Sequence, residues 1–388
     1  MTEMNGVDLN VESYILKPSP RKVKEEVPRS DEARTTVLNG RSMIEEILMK
    51  KDSKLLVIAG QCSTHDVAED MEVSRRLYDI SRDVSDKIVT VKRTYFEKPR
   101  TGLGWEGLMI DPHLDASYDV REGLKLCRRV LLFANELGLP CATEYVESQS
   151  PQYNSDLITW AAIGARTANS PTHRKLASLL SMPVGIKNET HGDIDVAING
   201  ILKAMQPNIL PDGITEDGEP AIVKSKGNPY AHLVLRGGQQ GPNYSEEHVS
   251  KALALLKKYE DLSSVIRYEH LKIHGINGML QSVLIDCSHD NVLELDESSI
   301  PPKWRKNSNS YERQAIVFQD GIRQRIDNGN KGIVGFMVET NIVGGKQPLP
   351  TDLRGFDKSK LKYGISVTDA CLPLSDFKRL VVEAYKML

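Results

Sequence analysis

Four residues scattered along the chain could together hold a divalent metal. Cys62 in IAGQCS, His289 in DCSH, Glu339 in MVET and Asp369 in SVTDAC supply one sulfur, one nitrogen and two carboxylates. A mixed set of this kind suits a divalent transition metal. It is not the closed set of a structural zinc site, so a coordination position open to substrate is expected. The spacing of the four carries no local motif, and spacing alone does not establish a metal. A second group is cationic: Arg93, Lys98, Arg100, Arg166, Lys187 and Arg236. Cations that converge where water is partly excluded need partners. Guanidinium forks match carboxylate and phosphate oxygens, so six cations imply more than one anionic group.

These residues converge only if the elements that carry them do. Short apolar, β-branched runs recur: KLLVIAG (54–60), KIVTVKRTYF (87–96), PCATEYV (140–146), WAAIGAR (160–166), MPVGIKNE (182–189), AHLVLRGG (231–238), SVLIDCSH (282–289) and GIVGFMVET (332–340). Helical stretches separate most of them. In one, Val120, Leu124, Cys127, Leu131 and Ala134 repeat at helical spacing, Asp119 can cap the start, and Gly138 and Pro140 end it. Strands alternating with helices point to a parallel sheet, and continuous apolar runs point to a sheet buried on both faces. Eight such units are the number that closes a (β/α)8 barrel.

Cys62 follows the first run, and Arg93 and Lys98 lie on and after the second. Glu144, Arg166, Lys187, Arg236, His289 and Glu339 close the next six. In a closed barrel these ends form one rim, where active sites of this architecture are built. A single arginine after a strand is ordinarily a solvated loop residue, and a single cysteine there is ordinarily a small core residue. The same placement on eight runs outweighs those readings. Asp369 lies beyond the eighth run and reaches the rim only if its loop folds back.

The remaining segments complete the expected organisation. Residues 1–50 read as an N-terminal extension: an irregular arm to about residue 30, broken by Pro18, Pro20 and Pro28, then a helix from Asp31 to Lys50 with Val37, Ile44, Ile47 and Leu48 on one face. The barrel occupies 51–388. Prolines and glycines at 206–230 suggest an excursion or an inserted hairpin, and 258–281 and 290–310 are longer than a barrel connection requires, the latter reading as loop. The chain has 388 residues, 40% apolar and 27% charged, with a net charge of -3. Both signs are interspersed, so neither a nucleic-acid partner nor a membrane surface is expected. No run is long enough to span a bilayer. Five scattered cysteines form no disulfide framework, and a reducing cytoplasm is expected.

At KRTYFEKPRTGLGWEGL (92–108), IAGQCSTHD (58–66), SPQYNSDLITWAAIGARTANS (150–170), HLVLRGGQQGPNYS (232–245) and IVGFMVETNIVGG (333–345) the sequence resembles the class I 3-deoxy-D-arabino-heptulosonate 7-phosphate (DAHP) synthases. The resemblance covers most of residues 35–388. It implies a metal-dependent aldol-type condensation of phosphoenolpyruvate with erythrose 4-phosphate, the first step towards the aromatic amino acids. Carried over by motif, Arg93, Lys98, Glu144, Ala165, Arg166, Lys187 and Arg236 form the phosphoenolpyruvate site, with Arg93, Lys98 and Glu144 nearest the chemistry. Arg100 and Thr101 bind the aldose phosphate. Cys62, His289, Glu339 and Asp369 are the metal ligands, for Mn, Fe, Co or Zn. Gln152 and Ser181 match part of an aromatic amino-acid effector site, and a homodimer or homotetramer is implied. The chain departs from the family pattern in GQCS for GPCS, in KPRTG for KPRTT and throughout 206–226. A different aldose such as arabinose 5-phosphate, a Schiff base on Lys187, the same reaction in a specialised pathway and a non-catalytic regulator remain open alternatives.

Overall fold

The computed structural model describes residues 10–100, 102–259, 273–276, 279–299, 301–307 and 309–388. Eight parallel strands close on themselves: β1 (Leu55–Gly60), β2 (Ile88–Arg93), β3 (Cys141–Glu144), β4 (Trp160–Ile163), β5 (Val184–Lys187), β8 (Ala231–Leu235), β9 (Val283–Asp286) and β12 (Ile333–Asn341). The ring is completed by β12 pairing with β1, in register from Leu56 opposite Gly335 to Gly60 opposite Glu339. Every residue of these eight strands is buried, as continuous apolar runs covered on both faces require. The barrel expected from the strand rhythm is therefore the fold, strand for strand.

Helices α3 (Val67–Arg82), α4 (Val120–Glu136), α6 (Pro171–Ala177), α7 (Asp195–Ala204), α8 (Glu246–Lys258), α9 (Arg313–Ile326) and α10 (Leu374–Met387) follow strands of the barrel, and a short helix, α5 (Ser150–Asn154), also follows β3. In α4 the side chain of Asp119 accepts from Glu122 N. The helix stops before Gly138, whose φ of 89° suits glycine. Helix α2 (Asp31–Leu48) lies across the N-terminal ends of the barrel strands. Arg41 donates to the carbonyls of Ile158 and Ser155, just before β4, and Ser282, just before β9, donates to Leu48 O.

Two segments differ from the expectation. The arm is not irregular throughout: Ser19 caps a seven-residue helix, α1 (Pro20–Glu26), with proline at the favoured first position and Val23 buried. It lies against an antiparallel hairpin of β6 (Ile209–Ile214) and β7 (Pro220–Lys224), held by Arg21 to Asp217 at 2.6 Å and Lys24 to Glu216 at 2.7 Å. The excursion or hairpin expected at 206–230 is thus a hairpin, and it is the arm's partner within the same chain. The segment 290–310 is not simply loop. It contains a second hairpin, β10 (Glu294–Asp296) with β11 (Lys303–Arg305), whose three-residue strands are too short to leave a periodic signal. Most of 258–281 lies outside the described residues. After β12 a two-residue strand, β13 (Leu372–Pro373), pairs parallel to Thr340 and Asn341 and returns the chain to the rim.

The closing seam is tight. A Cβ on Gly335 would fall 2.2 Å from Leu56 O. Overpacking of this kind typically costs 1–3 kcal/mol. Gly335→Ala is therefore expected to lower the urea midpoint by about 2 kcal/mol equivalent with an unchanged slope. An unchanged midpoint would show that the seam yields freely.

Candidate active site

Close approach of two strand ends begins the site. A Cβ on Gly60 would meet Arg93 O at 2.4 Å, so glycine lets the end of β1 press against the end of β2. The Arg93 guanidinium then reaches back, donating to Gln61 O and, at 2.7 Å, to Cys62 O. Its other nitrogen lies 2.9 Å from Glu339 Oε1, across β1 on β12. Both members of this pair are buried. Burial disfavours both charges, but each offsets it for the other: Arg93 is held above its ordinary value chiefly by Glu339, and Glu339 below its ordinary value chiefly by Arg93. Breaking one partner of a buried pair strands the other charge. Glu339 is also fixed from behind, because Gln314 exchanges hydrogen bonds with its backbone and Ser288 donates to Oε2 at 2.9 Å.

The loop beyond β12 does fold back. Asp369 N lies 3.4 Å from Cys62 Sγ, and ligand atoms of Cys62, Glu339 and Asp369 all fall within 4.8 Å of one another. Burial and the neighbouring Glu339 push the Cys62 thiol up, while Lys98, 3.4 Å from the sulfur, pulls it down. A thiol and two acids packed this closely favour a cation between them. Glu339 Oε1 has no well-aligned hydrogen-bond donor. The donor set therefore fits a divalent metal. His289 stands at the edge of this group. Its Nε2 is 3.8 Å from Glu339 Oε1, while Nδ1 faces Asp286 at 2.9 Å. Its backbone φ of 55° is unusual outside glycine and puts the imidazole on the rim.

The cations divide into two groups. Lys187 lies 3.2 Å from Asp286 and 3.5 Å from Glu144, and Arg236 lies 2.6 Å from Asp290. With Arg93 on Glu339, three of the six are thus paired within the protein, which the sequence argument for external anions did not foresee. Tyr95 lies under two of them, 3.6 Å from the Arg93 guanidinium and 5.6 Å from Lys187. Glu144 and Asp286 stay ionised: burial would raise both, and the surrounding cations, Lys187 among the largest for each, bring them below the usual carboxylate range. Gly164 leaves room for Glu144, since a Cβ there would meet its Oε1 at 2.1 Å. Lys98, Arg100 and Arg166 form the other group. No carboxylate of the described residues pairs with them, and all three line one cavity of about 410 Å³ beside the rim. Ala165 adjoins it in sequence. Thr101 lies outside the described residues.

Sequence reasoning did not single out Asp286, Asp290, Gln314 or Glu97. The two aspartates flank His289 in DCSHD and could have been read as its partners. Gln314 sits on α9 and carries no local signal. Glu97 precedes Lys98. Its Oε2 accepts from Val146 N at 2.9 Å and Glu147 N at 2.7 Å, and the Ser150 hydroxyl lies beside the same carboxyl. The effector candidates Gln152 and Ser181 share a small cavity of about 60 Å³ against β6 and β7, away from the rim.

Residues 26–381 match the model of the DAHP synthetase I family. The Tyr-sensitive phospho-2-dehydro-3-deoxyheptonate aldolase of Salmonella typhimurium is 38% identical over 385 residues, 99% of this chain and 96% of its own. The Phe-sensitive enzyme of Escherichia coli is 38% identical over 374 residues, 96% of this chain and 95% of its own. The solved structure of the phospho-2-dehydro-3-deoxyheptonate aldolase from Francisella tularensis superposes with a TM-score of 0.82 at 35% identity, covering 97% of this chain and 98% of that one.

Burial raises the Glu97 carboxyl to about 7, against the pull of the Glu147 and Val146 N–H donors and the Ser150 hydroxyl. The folded state therefore keeps a proton that the unfolded chain releases near 4.5. Stability falls as pH rises between these values, by roughly 3 kcal/mol in all. In Glu97→Gln the amide oxygen can still accept both N–H groups without a charge. The variant should gain stability over the parent at pH 8 and match it more closely at pH 5. Equal unfolding midpoints at pH 8 would contradict this.

Proposed function

The chain belongs to the DAHP synthetase I family, and from that premise we propose how its rim carries the reaction. The activity is that of a phospho-2-dehydro-3-deoxyheptonate aldolase. Phosphoenolpyruvate, erythrose 4-phosphate and water give the seven-carbon keto acid phosphate and inorganic phosphate. The observation that carries the site assignment is the convergence of Lys98 on both Cys62 and the cavity it shares with Arg100 and Arg166.

Phosphoenolpyruvate sits between Lys98, Arg166, Lys187, Arg236 and Arg93. Arg166 and Lys98 meet its anionic groups directly, since neither is paired with a protein carboxylate. Glu144 and Asp286 keep Lys187 extended into the site. Ala165 lines the same stretch. Arg100, with Thr101, receives the phosphate of erythrose 4-phosphate, which places the aldehyde towards Cys62. Holding both substrates in attack geometry removes the entropic part of the barrier. Cys62, Glu339 and Asp369, with His289 at their edge, would hold the metal, which when bound would supply Lewis acidity towards the aldehyde. As the methylene carbon C3 of phosphoenolpyruvate forms the new bond, Lys98 Nζ gives a proton to the aldehyde oxygen. Water then adds to C2, the carbon that bears the phosphate ester, and the bond from C2 to the phosphate oxygen breaks to leave the ketone. Of the two protons of the water, one leaves with the phosphate and the other replaces the proton that Lys98 gave.

No helix among the described residues is long and apolar enough to cross a membrane. The five cysteines are all free and buried, which supports the cytoplasm as location. Exposed Tyr14, Ile15 and Leu16 on the arm support a homodimer or homotetramer. The match of Gln152 and Ser181 to part of an aromatic amino-acid effector site supports feedback by phenylalanine or tyrosine.

Phosphate release from phosphoenolpyruvate tests the reading. Protein stripped with a chelator should be inactive, and Mn²⁺ should restore turnover with erythrose 4-phosphate but not with arabinose 5-phosphate. Millimolar phenylalanine or tyrosine should inhibit it. Turnover unaffected by chelation would refute the metal assignment, and silence with erythrose 4-phosphate in folded, metal-loaded protein would refute the substrate assignment.

A further inference from the structure

The segments that carry Cys62, Glu339 and Asp369 come from three distant parts of the chain, and one carboxylate outside the ligand set touches all three. Glu69, in the first turn of α3, is 1% exposed. Its Oε1 accepts from Gln61 Nε2 at 2.7 Å and from Asn341 Nδ2 at 2.8 Å, and its Oε2 accepts from Gly364 N at 2.8 Å. Gln61 precedes Cys62, Asn341 lies two residues beyond Glu339, and Gly364 starts the return that leads to Asp369. The backbone of Glu69 is held in turn, because its N–H donates to Asp66 Oδ1 at 2.9 Å. Gly364 has a φ of 79°, and a Cβ there would fall 2.8 Å from Ile342 Cβ, so its N–H is aimed by a conformation only glycine suits.

A buried carboxylate is costly unless its lone pairs are filled. Here three neutral donors fill them, and the nearest cationic candidate, His65 Nε2, is 3.7 Å away. An apolar side chain could pack α3 on the barrel equally well, but it could not join three loops. We infer that Glu69 is a positioning residue that sets the mutual spacing of Cys62, Glu339 and Asp369, and with it the metal affinity, without itself touching metal or substrate. The inference rests on the metal centre proposed above.

The chemistry of a single substitution isolates the effect. In Glu69→Gln one terminal atom becomes an N–H donor, which must face either Gly364 N–H or the amides of Gln61 and Asn341. Asn341 cannot turn to present its oxygen, because Oδ1 already accepts from Ile342 N at 2.8 Å. At least one tie is therefore lost while volume is kept. Gln61→Met removes a single tie and leaves Glu69 with two donors.

The test uses the full chain stripped of metal and titrated with Co²⁺, whose near-ultraviolet thiolate band reports ligation by Cys62. Calorimetric binding of phosphoenolpyruvate to the metal-free protein is run alongside. Loss of an outer-shell partner weakens metal binding by about 10–100-fold, so Glu69→Gln should raise the Co²⁺ Kd by about tenfold or more and Gln61→Met by a smaller factor. Phosphoenolpyruvate affinity without metal should stay within about twofold in both. A Co²⁺ Kd unchanged in Glu69→Gln, or phosphoenolpyruvate affinity falling by the same factor as metal affinity, overturns the positioning role. Should Glu69→Gln fail to fold, unchanged Co²⁺ affinity in Gln61→Met overturns it instead. Absence of the thiolate band in the parent protein is a separate result: it removes the metal centre itself, and this inference with it.

Discussion

Strand β1 runs parallel to β12 up to the pairing of Gly60 with Glu339, and the chemistry of the rim depends on that seam. Parallel closure puts every strand's C-terminal end on one face. The particular register sets Glu339 level with the residue just before the Cys62 loop. Arg93, one strand further round, then spans β1 to reach Glu339 and takes the Gln61 and Cys62 carbonyls on the way. A register shifted by one residue would turn Glu339 out of the rim, because side chains alternate along a strand. Helix α2 across the opposite end and the snug fit at Gly335 leave little freedom for such a shift.

Electrostatics then decides what the rim can hold. Its buried acids Glu144, Asp286 and Glu339 remain ionised because cations stand beside them, and Arg93 stays charged beside Glu339. A set so fully paired is rigid and preorganised, which suits stabilisation of charge that develops during reaction. Lys98, Arg100 and Arg166 are the exceptions, and they face open space. The unpaired positive charge thus lines the cavity beside the rim, and the paired charge is confined to the rim behind it.

Much of this was legible in the sequence, for physical reasons. All eight barrel strands were visible because strands buried on both faces read as unbroken apolar runs. The rim residues stood out because each follows such a run. The return of Asp369 is not legible, since no pattern in the sequence encodes the pairing of Gly345 with Cys371 that folds its loop back. Helix α1 was hidden by its prolines, although Pro20 in fact opens it. The hairpin of β10 and β11 was hidden by its brevity. Above all, the internal partners of the cations were not legible: Asp286 and Asp290 differ from any surface aspartate only in three dimensions. Glu69 likewise looks like an ordinary first-turn acid of a helix, and its role depends on three loops that sequence does not bring together.

The central claim is that Cys62, Glu339 and Asp369 form one metal centre at the mouth of the barrel. Crystals of the full chain loaded with Co²⁺ would give an anomalous difference map at the cobalt edge. The account predicts one strong peak within bonding distance of Cys62 Sγ and of the Glu339 and Asp369 carboxylates. Stoichiometric cobalt bound elsewhere, with Cys62 Sγ outside its coordination shell, would contradict it.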